Sequence, residues 1–149
     1  MKTAARTLAA AGLITAGLIA AVAAPAVAED WNPISRSSQY IYMVDGDSVA
    51  SVGADTVALV ARAPVARSAR AYRIETYAFD CPGSRFKITR SVEYGDDGVE
   101  TDAFDDTAAE YESVPRNSMI ESVKEVACDG NRAEPPTYPS IAAYLDSRR

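Results

Sequence analysis

Cys81 closes the longest strand-like run of this sequence, Ala69 to Cys81, and Cys128 closes its one clear helical run, Ser118 to Cys128. A bridge between them pins the last turn of the helix to the end of the strand. The fold must then be a sheet with a helix laid across it. The two are the only cysteines and stand 47 residues apart. In the chain-entropy treatment, closing such a loop contributes about 4 kcal/mol. That is a large share of the roughly 5–15 kcal/mol by which a domain is stable. The alternative is a pair of free buried thiols, and the choice depends on the compartment.

The N-terminus speaks to the compartment. Lys2 and Arg6 form a basic start, Leu8 to Val22 is apolar and uncharged, and Ala26-Val27-Ala28 is a small-x-small processing site. Residues 1–28 therefore read as a secretory signal cleaved between Ala28 and Glu29. A membrane-spanning reading competes, because the apolar stretch approaches the roughly 18 residues that cross a bilayer. Its alanine content and the processing site favour removal, and no cysteine follows it to carry a lipid. The expected locations are the periplasm, the medium or the cell surface, where a disulfide forms readily. Of 149 residues, removing 28 leaves 121, enough for one domain with one core. No later segment is long and apolar enough for stable membrane insertion.

The whole chain has 15 basic and 21 acidic residues, a net charge of −6. Without Lys2 and Arg6, 13 basic residues face 21 acidic ones, a net charge of −8. Nucleic acid and anionic lipid are poor partners for such a surface.

Along the exported part, Glu29 to Ser38 reads as irregular, with Trp31 as its anchor. Gln39 to Val44 is a strand that stops at the turn signal Asp45-Gly46-Asp47. Ser48 to Val52 is a short strand or turn, and Gly53-Ala54-Asp55 is the next turn. Thr56 to Arg62 is a clear strand, followed by Ala69 to Cys81. In Arg85 to Tyr94, Phe86 and Ile88 share one face and Lys87 and Thr89 the other. Gly95-Asp96-Asp97-Gly98 makes a hairpin turn, with short strands at Val99–Phe104 and Glu110–Val114.

After Pro115 the period changes. Met119, Ile120, Val123, Val126 and Ala127 recur at helical spacing, Ser118 and Glu121 form a capping box, and Gly130 ends the run. The expected fold is α+β: an antiparallel sheet of five to six strands, one C-terminal helix packed on one face, and one disulfide. The domain covers residues 29–130. A tail, 131–149, carries a second short helix after Pro139, behind a linker from Ala133 to Pro139.

The chain contains no histidine, which removes the usual Ser-His-Asp and Cys-His machinery and the commonest zinc ligand. No phosphate-binding glycine loop or dinucleotide fingerprint is present. No catalytic, cofactor-binding or metal residue is therefore assigned, and the chain reads as a non-enzyme. Asp96, Asp97, Glu100, Asp102, Asp105 and Asp106 crowd one stretch. They suit either a calcium loop or a solvated acidic surface, and their spacing is not that of an EF-hand. A carboxylate pair for glycoside cleavage is the remaining enzymatic reading.

Arg62, Arg67, Arg70, Arg73, Arg85, Lys87 and Arg90 concentrate in the central strands. Paired as a hairpin, Arg73 and the Arg85/Lys87 pair are expected to share a surface, either as a patch for an anionic partner or as solvated strand faces. Tyr40, Tyr42, Tyr72, Tyr77 and Tyr94 also sit on strands, where exposed tyrosines make binding faces.

Several of these pieces come in a familiar order. Tyr40 to Val44 ends in Asp45, and Ser48-Val49 is followed by Gly53. Tyr77-Ala78-Phe79-Asp80-Cys81 precedes Arg85 and then Tyr94. Pro115-Arg116-Asn117-Ser118 starts the helix that reaches Cys128. From Trp31 to Cys128 this arrangement resembles the surface-adhesin protein E family, with Tyr111 where a tryptophan is usual. The resemblance implies an antiparallel sheet with a packed helix. It also implies binding of host matrix proteins such as laminin and vitronectin through a sheet face or loop, and leaves a homodimer open. The alternative function is a periplasmic, envelope-associated structural protein with the same fold.

Overall fold

The structure is a computed structural model that describes residues 29–132 and 135–149. The expected secretory signal, with Ala28, lies outside the described residues, as do residues 133 and 134 of the expected linker; Glu29 is the first residue described. Nine elements follow in order: β1 (Trp31–Arg36), β2 (Tyr40–Val52), β3 (Asp55–Pro64), β4 (Tyr72–Asp80), β5 (Arg85–Tyr94), β6 (Glu100–Asp105), β7 (Glu112–Ser113), α1 (Met119–Asp129) and α2 (Ile141–Ser147). The seven strands form one antiparallel sheet whose spatial order, β1 to β6, is the order of the chain. β7 joins β5 beside Arg85 and Phe86. The α+β class, the antiparallel sheet and the Cys81–Cys128 bridge agree with the sequence reading.

β3 explains why the sheet needs a cover on both sides. Its run Val57-Ala58-Leu59-Val60-Ala61 is apolar at both parities, so alternation sends Ala58 and Val60 to one face and Leu59 and Ala61 to the other. On the first face α1 packs Val123, Val126 and Ala127 against Val44, Ala58, Val60, Tyr77, Phe79 and Phe86. On the second, α2 packs Ile141, Tyr144 and Leu145 against Trp31, Ile41, Met43, Ala61 and Ala63. The expectation of one covered face is thus corrected to two.

Both helices begin at serine caps. Ser118 Oγ accepts from the Glu121 amide at 3.1 Å, and Ser140 Oγ accepts from the Ala143 amide at 3.0 Å. Glu121 reaches back to accept from the Asn117 amide at 2.6 Å. Gly130 ends α1 with φ of 69°, a left-handed cap that glycine takes without a Cβ penalty. The disulfide then fixes that end of α1 to the end of β4, with Cα atoms 5.7 Å apart. The segment before α2 returns to the first strand: Trp31 and Tyr138 exchange backbone hydrogen bonds of 2.9 and 3.0 Å. Arg148 donates to the carbonyls of Pro64 and Val65.

Two stretches differ from the sequence reading. Glu29 to Ser38 is not irregular throughout; it supplies β1, an edge strand whose register shifts between Pro33 and Ser35. An edge is where a strand tolerates proline and a bulge. The turn expected at Asp45-Gly46-Asp47 is instead a bulge within one continuous strand, since the β2–β3 register shifts between Asp45 and Ala50. Side chains bridge the gap: Asp45 Oδ1 accepts from the amides of Asp30 and Asp47, both at 3.0 Å, and Ser48 Oγ accepts from the Leu59 amide at 2.9 Å. No helix among the described residues is long and apolar enough to cross a membrane.

Candidate binding surfaces

Each helix covers only half of its face, and the covered halves lie diagonally opposite. What stays uncovered on the α1 side is set by the alternate residues at the other end of the same strands. These are Tyr40 and Tyr42 of β2, Arg62 of β3, Arg73 and Glu75 of β4, and Ser91 and Glu93 of β5. Arg62 and Arg73 are direct cross-strand neighbours. Like charges in that position repel unless each is occupied. Arg62 lies over the Tyr40 ring, 4.7 Å from its centre. Arg73 donates from Nε to Glu93 at 2.5 Å and stands 3.5 Å from Glu75. The Glu93 hydrogen bond holds the Arg73 guanidinium above its usual range. Tyr77 donates to the other oxygen of Glu75 at 3.3 Å, and burial, reinforced by the Glu75 charge, pushes its phenol up. The face is therefore an ordered arrangement of arginine, tyrosine and carboxylate, with shallow clefts of about 200 and 280 Å³ on either side of Arg73.

On the opposite face, the half not covered by α2 carries a larger cavity of about 670 Å³ under the 106–111 loop. Thr76, Lys87, Thr89, Arg90 and Asp105 line it. Its cations already have partners. Arg90 forks onto both oxygens of Asp105, at 2.6 and 2.8 Å. Lys87 sits over the Tyr111 ring at 4.2 Å and 3.6 Å from Asp55, while the Tyr111 hydroxyl donates to Asp55 at 2.5 Å. Tyr111 is the first cause that raises the Lys87 ammonium. Arg85 donates to Asp80 at 3.0 and 2.5 Å and also lies against Tyr111. That bond, with the Gly83 amide, draws the Asp80 carboxyl below its ordinary value.

The expected shared surface for Arg73, Arg85 and Lys87 does not form. In the β4–β5 register Arg73 faces Glu93 while Lys87 faces Ala78, and the two lie at opposite ends and on opposite faces of the hairpin. Strand parity divides the basic residues into an Arg62/Arg73 pair and an Arg85/Lys87/Arg90 group. The tyrosines divide as well: Tyr77 is core, Tyr72 and Tyr94 stack with ring centres 4.7 Å apart, and Tyr40 and Tyr42 line the arginine face.

The acidic residues are spread over separate local duties. Asp96 accepts from the amides of Arg70 and Ala71, at 3.0 and 2.7 Å, Asp97 from Val99 and Asp106 from Ala108, both at 3.0 Å. Among the described residues no group of three carboxylate, thiol or imidazole side chains converges as a metal site. The chain matches no protein-family model, no curated protein and no solved structure.

Proposed function

We propose that this chain is an exported, non-enzymatic binding protein that takes a protein partner on the sheet half bearing Tyr40, Tyr42, Arg62 and Arg73. The observation that carries the reading is the pre-ordered Arg62–Tyr40 stack beside the Arg73–Glu75–Glu93 network. Arginine and tyrosine dominate protein interfaces because each presents a large planar area with polar tips. Groups already held in place lose less freedom on binding. The resemblance to surface-adhesin protein E, with its matrix-protein ligands, points to the same class of partner. The larger cavity supports a ligand less well, because its two cations, Lys87 and Arg90, are committed to Asp55 and Asp105.

The test is saturable binding of the protein to immobilised laminin and vitronectin. Arg62→Glu is expected to weaken binding at least tenfold, while Thr76→Val on the opposite face leaves it unchanged. No saturable binding to either matrix protein or to host cells overturns the adhesin reading. A non-penetrating protease applied to intact cells separates surface display from the periplasmic alternative.

A further inference from the structure

The two edges of the sheet are protected very differently. β1 carries a proline and a register shift, and Tyr138 pairs with its Trp31. β6 carries no proline and, among the described residues, no outer bridge; its one irregularity is a register shift against β5 at Thr101. All six of its residues are exposed, and among the described residues no strand lies on its outer side. An open edge presents unpaired amides and carbonyls, and such an edge accepts a further strand unless something prevents it.

On β6 the side chains decide what is prevented. Its sequence is Glu100-Thr101-Asp102-Ala103-Phe104-Asp105, and Asp96, Asp97 and Asp106 flank it. A second copy pairing antiparallel would set carboxylates against carboxylates, which is unfavourable at cross-strand distance. Asp105 is already bound to Arg90, but Glu100 and Asp102 take part in no ion pair among the described residues. Asp102 Oδ1 instead accepts from the Ala103 amide at 2.9 Å. The carboxylate therefore occupies a backbone donor that β5 does not use. Phe104 projects into solvent with 65% of its surface exposed, on the face of the sheet that carries Arg73 and Ser91.

We propose that the outer edge of β6 accepts an extended segment of a partner protein in which lysine or arginine alternates with apolar residues. Basic side chains neutralise Glu100 and Asp102 and draw the Asp102 carboxylate off the Ala103 amide, which then bonds the incoming strand. An apolar side chain of that strand covers Phe104. The charges that reject a second copy of this chain select the basic partner. The edge adjoins the cleft beside Arg73, but Arg62 lies three strands away on β3 and takes no part in it.

The probe is a fluorescein-labelled octapeptide alternating lysine and valine. A control replaces the valines by prolines, keeping the charge but removing the capacity to pair. The protein is expected to bind the first saturably and the second at least tenfold more weakly, with hydrogen exchange slowed in β6. Ala103→Pro removes the edge donor, with circular dichroism checking the fold, and is expected to cost at least tenfold. The double change Glu100→Lys, Asp102→Lys is expected to transfer preference to an alternating glutamate–valine peptide. Arg62→Glu should leave peptide binding unchanged, so the two proposals fail separately. Equal binding of the proline control, absent binding, unchanged β6 exchange, or indifference to the charge reversal overturns the proposal.

Discussion

The α1 half and the α2 half of this sheet do the same work by different means. Each is a short amphipathic helix, capped by serine, laid over one end of the central strands. Neither is long enough to be stable alone, since isolated helices shorter than about 12–15 residues are marginal in water. α1 rests on the aromatic group Tyr77, Phe79 and Phe86, whose ring centres lie 5.9–6.3 Å apart, and is locked by the disulfide. α2 has no covalent tie. It depends on fully buried Trp31, on the Trp31–Tyr138 backbone bridge and on Arg148 reaching back to β3. A covalent clamp and a buried tryptophan are two solutions to holding a helix that cannot hold itself.

The contrast can be broken most sharply at Trp31. Trp31→Ala is expected to cost about 3–5 kcal/mol, the range for emptying an aromatic core site. Amide exchange should rise first in α2 and β1 while α1 stays protected; a uniform loss of protection would mean the two halves are one cooperative unit. Cys128→Ser is expected to cost about 2–5 kcal/mol in denaturant unfolding and to loosen α1 more than α2. A loss below about 1 kcal/mol would remove the clamp from the account of α1. Ser118→Ala and Ser140→Ala should each cost about 1 kcal/mol. If the clamp dominates, local exchange at the start of α2 responds more to its cap than α1 does.

The smallest effect concerns pH. The folded Asp80 carboxyl lies below its ordinary value because Arg85 and the Gly83 amide stabilise the charged form. Its contribution is therefore complete above the unfolded carboxylate value of about 4 and fades as pH falls through the folded value. Asp80→Asn should lower the melting temperature slightly near neutrality and converge with the parent chain in acid. Parallel curves down to low pH would show that this pair, which holds the β4–β5 turn at the disulfide end, contributes nothing.

The α1 half was largely legible in the sequence. Ser118, Glu121 and Gly130 mark the helix bounds, Phe86 and Ile88 give the face of β5, and the two cysteines are the clamp itself. The α2 half was harder to read. Its helix could be seen after Pro139, but its docking place rests on Trp31, more than 100 residues earlier, in a stretch broken by Pro33 that carries no alternation. Asp45-Gly46-Asp47 signals a turn, so the sequence alone ends β2 there. Only the folded state shows that Asp45 and Ser48 bond across a bulge. Of the proposed binding surface, residue types were visible but their grouping was not. Strand parity at a β4–β5 register shift, between Thr76 and Tyr77, decides which arginines meet, and register is a long-range property.

The meander has a consequence for the order of assembly. From β2 to β6 each strand pairs with the one made just before it, so this part of the sheet can grow in order as the chain emerges. Cys128 arrives before the tail, so the clamp can close first. The first strand is completed late: Trp31 is covered by Tyr138 and α2, made more than 100 residues after it. A nascent chain thus carries one large aromatic surface exposed while every strand and α1 are made. That places Trp31 where a chaperone would meet this protein, and makes a chain stopped just beyond Gly130 a trap for it.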